Sequence, residues 1–302
     1  MLQFYDERNR DLQVWINGKL SHRDHASVSP FDSVVQGGDA VWEGLRLYHG
    51  RIFKLTEHLD RLRHSAQALA FAHIPSHEEI TAAVRETLAA NNMRDECHLR
   101  LTLTRGVKIT SGMDPRLNQA GPTLIVLAEF KQPVYDKSGL RLATTSYRRP
   151  APDVLDPKIH HNNLLNSILA KIEATRAGVD DAVMLDQNGF IAETNATHLF
   201  FVIDGVVTTS RTVACPEGIT RQTVLDLCKA NGIEHVVRDV SLPEVYRCEE
   251  CFCTGTMGEL APVVEIDGRT IGGGDCGAGP MTSRLCELFT ELTKVEGICV
   301  VD

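Results

Sequence analysis

Lys158 lies in the stretch Leu155-Asp156-Pro157-Lys158-Ile159-His160-His161-Asn162-Asn163-Leu164-Leu165-Asn166-Ser167, a primary amine just ahead of two imidazoles. Glu193 follows at the end of the apolar run Phe190-Ile191-Ala192. Further on come Gly218-Ile219-Thr220-Arg221 and Gly255-Thr256-Met257-Gly258. An amine can add to a carbonyl and then move protons. A carboxylate can keep a ring nitrogen protonated, and backbone amides at a helix start can hold a phosphate. Those provisions are what pyridoxal 5'-phosphate requires of a protein.

Each motif has a plainer reading. Every helix begins with free N–H groups, so Gly218-Ile219-Thr220-Arg221 alone is a weak signal. Glu193 could cap a surface turn, but a carboxylate ending an apolar strand is costly to bury without a partner. His160 and His161 are adjacent, so on a strand they face opposite sides and do not chelate together. Cys248, Cys251 and Cys253 form C-x-x-C-x-C without a second ligand pair, inside a strand-like run. That pattern reads as buried thiols, and no metal site is expected.

The elements that position these groups are legible in outline. Asn17-Gly18, His49-Gly50, Asn188-Gly189, Asp204-Gly205 and Asp267-Gly268 predict turns, four of them between strands that pair as hairpins. A helix is expected from Thr56 as N-cap, and another over 77–91 with Ser76 and Glu79 as a capping box. Leu165 onward, 219–230 and 281–294 read as helices, the second stopped by Asn231-Gly232. Residues 98–105 and 123–130 read as strands, 109–119 as a loop over the site. Periodicity is lost over 131–139, which predicts a linker between a small N-terminal domain, 1–130, and a larger cofactor-binding domain, 140–302. Hairpin-joined strands with helices between them indicate α+β.

The chain has 302 residues, 43% hydrophobic and 24% charged, with a formal net charge of −9. That balance argues against nucleic acid or an anionic membrane as partner. No apolar run is long enough to span a bilayer, the first residues lack a signal-peptide core, and the nine cysteines suit a reducing compartment. A cytoplasmic protein is expected.

The motifs resemble the class IV (fold type IV) pyridoxal phosphate aminotransferases: branched-chain aminotransferases, D-amino-acid aminotransferases and aminodeoxychorismate lyase. The likeness runs through Gly38-Asp39-Ala40-Val41-Trp42-Glu43-Gly44, Glu57-His58-Leu59-Asp60-Arg61-Leu62, 165–171, Glu193 with Leu199-Phe200, Gly218-Ile219-Thr220-Arg221, Gly255-Thr256 and Glu259. It implies a two-domain α+β fold with a small N-terminal α/β domain and an antiparallel-rich larger one. It implies a homodimer with the site between domains. By the same resemblance Arg61, Ile219, Thr220 and Thr256 would hold the cofactor phosphate and Glu193 the pyridine nitrogen. Arg100 and the Thr256–Met257 turn would meet the substrate. The absence of the D-amino-acid enzymes' carboxylate-binding arginine, with Thr110 in its place, points to a branched-chain-like amino acid and a 2-oxo acid.

One position departs from the pattern. Many members read Pro-Arg-Ile-Lys where this chain reads Pro157-Lys158-Ile159-His160, so His160 falls on the Schiff-base lysine. Either Lys158 serves, since residues two apart on an extended strand face one side, or no Schiff base forms. The expected function is amino-group transfer with Lys158 as the catalytic lysine. An aminodeoxychorismate-lyase-like activity and a member without Schiff-base chemistry are the alternatives.

Overall fold

Asn17-Gly18 and His49-Gly50 take left-handed backbone angles, φ 44° and 83°, 49° and 79°, and each closes a hairpin. In the computed structural model, which describes residues 3–272 and 277–301, the first joins β1 (Gln13–Ile16) to β2 (Lys19–His22). The second joins β3 (Ala40–Tyr48) to β4 (Arg51–Ile52). Helix α1 (Ser33–Gly37) precedes β3, and α2 (Leu55–Ala68) and α3 (His77–Ala90) follow β4. Strands β5 (Cys97–Thr104) and β6 (Thr123–Phe130) complete the N-terminal part. They form an antiparallel sheet in the order β4-β3-β5-β6-β1-β2, with the strand Ile298–Cys299 added at the β4 edge.

Leu55, Leu59 and Leu62 of α2 and Ile80, Val84 and Leu88 of α3 share a buried core with Leu45, Leu99, Leu101 and Val126 from the sheet. The apolar spacing along each helix places these side chains on one face, and each buried residue contributes about 1.5–3 kcal/mol. Ser76 and Glu79 form the expected capping box. Thr56 is not the cap of α2. Lys54 takes that position in a left-handed conformation, φ 51°, without a side-chain cap, and its ammonium is held by Glu57 and Glu296.

Next come β7 (Leu140–Arg148), α4 (Pro152–Leu155), α5 (Leu165–Arg176), β8 (Asp181–Leu185), β9 (Ile191–Thr194), β10 (His198–Ile203) and β11 (Val206–Thr209). They are followed by α6 (Ile219–Ala230), β12 (His235–Val237), α7 (Leu242–Val245), β13 (Glu250–Gly255), β14 (Glu259–Ile266), β15 (Arg269–Thr270) and α8 (Pro280–Val295). The sheet runs β12-β11-β10-β13-β14-β7-β8-β9, with β15 on β14. Its pairs are mostly antiparallel, and β11/β12, β14/β7 and β7/β8 are parallel. Asn188-Gly189, Asp204-Gly205 and Asp267-Gly268 turn the chain between β8 and β9, β10 and β11, and β14 and β15. This is an α+β chain.

The compact units differ from a single cut at 131–139. Among the described residues, the large unit holds 133–158 and 164–292; the small unit holds 3–132, 159–163 and 293–301. Val134 and Tyr135 belong to the large unit because Val134 N–H donates to Met257 C=O at 3.0 Å and the Tyr135 hydroxyl donates to Asp181 at 2.6 Å. The division between units falls between Lys158 and Ile159.

Candidate active site

In the large unit Gly218 is the N-cap of α6 and supplies no side-chain cap, so the first amides, from Ile219 and Thr220, are left for another acceptor. A Cβ at Gly218 would come within 2.4 Å of the His198 ring, so only glycine lets α6 begin there. His198 pairs across the sheet with Thr254, whose buried Oγ1 has no hydrogen-bond partner among the described residues. Thr256 and Met257 follow in a turn closed by Gly258 N–H to Gly255 C=O, 3.2 Å. Tyr135 packs so closely there that a Cβ at Gly258 would meet its ring at 2.2 Å.

Glu193 is buried on β9, and Arg149 approaches its Oε1 to 2.8 Å. Arg149 also reaches the Ala214 carbonyl, Asn166 Oδ1 and Ser167 Oγ. It thereby links β9, the start of α5 and the segment leading into α6. Burial pushes the Cys215 thiol up, and Glu193, Arg221, Arg149 and Lys158 all act on it electrostatically. Through Arg149, Glu193 and the entry to α6 share one neighbourhood, and Lys158 belongs to the same unit. Lys158 is exposed. Its surroundings are not the extended run expected: 157–159 is a turn and bend, with Lys158 N–H on Asp156 Oδ1 at 2.9 Å. A shared strand face with His160 is overturned, because the chain bends between them.

His160 belongs to the small unit. Its N–H donates to Ser65 Oγ, 3.0 Å, and its carbonyl accepts from Trp42 N–H, 2.9 Å. The ring stacks on Trp42, centroids 4.3 Å apart at 26°, and Nδ1 lies 3.2 Å from Glu43 Oε1. Glu43 is fully buried and also meets His58 Nδ1 through Oε2 at 2.7 Å. It takes Arg61 Nε and Nη2 on its two oxygens, each at 2.7 Å. Burial works against this carboxylate's charge. Arg61 and His160 outweigh it and hold the group well below the usual carboxylate range. Burial, with Arg61, depresses the His160 imidazole against the pull of Glu43.

Arg100 lies 4.0 Å over the ring system of Trp42, and its Nη2 reaches Asn162 Oδ1 at 3.4 Å. The indole thus carries both a guanidinium and an imidazole. The 109–119 loop lies in the small unit too. With Phe71, His73 and Arg105, its residues Pro115, Arg116 and Asn118 line a groove of about 640 Å³. None of the residues singled out as a site lines it. Among the described residues no cluster of His, Cys, Asp or Glu could hold a metal.

Sequence reasoning does not single out Glu43, His58, Trp42 or Arg149. For the first two a signal exists: a carboxylate inside the apolar run Val41-Trp42-Glu43-Gly44, and a histidine one helical turn before Arg61. Arg149 gives none, since its partner is set by the fold.

A mixed sheet, a glycine-opened helix with free amides, an orphan threonine hydroxyl and a buried strand carboxylate together fit the donor set of a pyridoxal phosphate cradle. Residues 40–266 match the amino-transferase class IV family. The chain belongs to that family.

It is 54% identical to branched-chain-amino-acid aminotransferase-like protein 2 of Arabidopsis thaliana, over 96% of this chain and 52% of that protein. It is 41% identical to a putative branched-chain-amino-acid aminotransferase of Methanocaldococcus jannaschii, over 96% of this chain and all of that one. The branched-chain amino acid aminotransferase from Thermobaculum terrenum, in its PLP-bound holo-form, superposes with a TM-score of 0.83 at 27% identity, covering 95% of each chain. The chain spans about half the length of the Arabidopsis relatives it matches.

Proposed function

We propose that this chain is a pyridoxal 5'-phosphate-dependent aminotransferase that moves the amino group between a branched-chain-like amino acid and a 2-oxo acid. The observation that carries this is the buried Arg149–Glu193 pair beside the entry to the uncapped α6, in the unit that also holds Lys158. Bound there, the cofactor supplies a sink for the electron pair left on the substrate's α-carbon when its proton departs. Ile219 and Thr220 offer amides to the phosphate, and Thr256 a hydroxyl. Glu193 holds a proton on the ring nitrogen. The turn at Met257 offers backbone to the substrate carboxylate. Lys158 is the amine that tethers the cofactor, being the candidate that shares the cradle's unit. Arg61 and Arg100 keep the phosphate and substrate roles that the resemblance assigns them.

Two experiments test this. Protein loaded with pyridoxal phosphate should convert leucine and 2-oxoglutarate into 4-methyl-2-oxopentanoate and glutamate. Absence of that exchange, with turnover of aminodeoxychorismate alone, would assign the lyase reading instead. Borohydride reduction and peptide mapping should fix the cofactor on Lys158, and a label elsewhere would remove Lys158 from the assignment.

The resemblance also supports a homodimer. Leu165, Ile168, Leu169 and Ile172 form an exposed apolar stripe on α5, the kind of face a second copy covers. Ile168→Asp should then shift the sedimentation of the protein from dimer toward monomer. No described helix is long and apolar enough to cross a membrane. Among the described residues eight cysteines are free thiols, six of them buried. These support a place in the reducing cytoplasm.

A further inference from the structure

We propose that Asp181, acting through the Tyr135 hydroxyl, is a positioning residue for the Gly255–Gly258 turn and so sets how tightly that turn takes a carboxylate. It rests on the role given above to the turn at Met257 toward the substrate carboxylate. Every residue involved lies in the large unit.

The turn is bare where it is seated. Both of its end residues are glycines, and each fits against one neighbour. A Cβ at Gly255 would come within 3.0 Å of Thr197 Cγ2, and one at Gly258 within 2.2 Å of Tyr135 Cδ2. Between them the Met257 carbonyl accepts from Val134 N–H at 3.0 Å. Among the described residues the Thr256 and Met257 N–H groups donate to nothing, so two amides stay open to an anionic acceptor. Val134 and Tyr135 are consecutive, so whatever fixes the Tyr135 ring also fixes this side of the turn.

The ring is fixed by its hydroxyl, which donates to Asp181 Oδ2 at 2.6 Å. Hydrogen bonds to a carboxylate are the short, strong kind. Burial, and then the Asp181 carboxylate beside it, push the phenol well above its ordinary range, so it stays a donor. Asp181 is buried. Its other oxygen accepts from Lys171 Nζ at 2.6 Å and Asn195 Nδ2 at 3.3 Å, which turns Oδ2 toward Tyr135. Asn195 is pinned in turn, its Oδ1 accepting from Ala182 N–H at 2.8 Å. On the opposite side Thr197 is held independently, its N–H donating to Thr194 Oγ1 at 2.8 Å. One seat of the turn is therefore set by local backbone, and the other by a single hydroxyl–carboxylate bond. A phenylalanine would bury the same ring, so packing alone does not call for that hydroxyl.

The test uses protein loaded with pyridoxal phosphate and labelled with ¹⁵N-methionine, Met257 being one of six methionines. Its amide signal, assigned by its loss in Met257→Leu, should shift on titration with 4-methylpentanoate, a carboxylate with no amino group to transfer. In Tyr135→Phe the same shift should need about tenfold more of the acid, since a misplacement of about 1 Å costs up to about 10²-fold. KM for leucine should rise by the same factor with kcat within about threefold, the mark of lost ground-state binding. Absorbance of the cofactor retained after dialysis should match wild type. Asp181→Asn should behave as Tyr135→Phe does, and the double variant should bind the acid as tightly as either single one, because the two groups act as one. Should Asp181→Asn fail to fold, Tyr135→Phe, which keeps the ring, carries the comparison. Wild-type affinity for the acid in Tyr135→Phe would overturn this proposal and leave the role of the turn standing. A wild-type Met257 amide that 4-methylpentanoate does not move would overturn the role of the turn, and this proposal with it.

Discussion

Arg149 Nη2 stands 2.8 Å from Glu193 Oε1, so the carboxylate expected to face a protonated ring nitrogen already has a cation on its flank. Removing that cation takes the ion-pair partner from a buried charge. Arg149→Ala should destabilise the protein by about 3–5 kcal/mol, whereas replacing both partners with apolar residues should recover much of the loss. Urea denaturation of the single and double variants checks this.

Gly218 begins α6 against the His198 ring. Gly218→Ala places a methyl group 2.4 Å from that ring and should cost about 1–3 kcal/mol by overpacking. If α6 holds the phosphate, the same variant should release pyridoxal phosphate more readily on dialysis, read by absorbance of the retained cofactor. Unchanged retention would detach α6 from the phosphate.

His98 is buried on β5, and desolvation, helped by Lys131, Arg46 and Arg100, pushes its imidazole down to about 3 from 6.5. A folded-state value below the unfolded one means that the unfolded chain binds the proton more readily. The stability tied to this group is therefore whole above pH 6.5 and falls as pH drops toward 3, by up to about 1.4 kcal/mol per pH unit. His98→Leu should flatten that slope in thermal melts taken across the same window. His160, depressed in the same direction, accounts for part of what remains.

Ser76 and Glu79 hold the start of α3 by reciprocal bonds of 3.2 and 2.7 Å. Ser76→Ala should cost about 1 kcal/mol, and Ser76→Asp should restore most of it. Differential scanning calorimetry resolves both.

Where a rule is local, sequence is enough. Asn17-Gly18, Asp204-Gly205 and Asp267-Gly268 turn because asparagine, aspartate and glycine tolerate positive φ. Helix α6 ends where Asn231-Gly232 stops it. Lys54 displaces Thr56 from the start of α2, and one of its carboxylate partners, Glu296, comes from the far end of the chain. The pairing of Glu193 with Arg149 and the seating of His160 on Trp42 are equally hidden, being decided by strands that meet only in the fold. Lys158 and His160 illustrate the limit most plainly. Two residues apart, they would share one face of an extended strand, yet they belong to different units.

The strand Ile298–Cys299 pairs with β4, and Arg51 Nη1 reaches the Gly297 carbonyl across 246 positions of sequence. The small unit also waits for His161, which bridges to Val41. On a ribosome adding about 5–20 residues per second, the N-terminal sheet therefore stands with one edge uncovered for roughly ten to fifty seconds before its last strand emerges. Such an edge is a template for wrong pairing. Breaking this pairing with Ile298→Pro should show itself first as aggregation during synthesis.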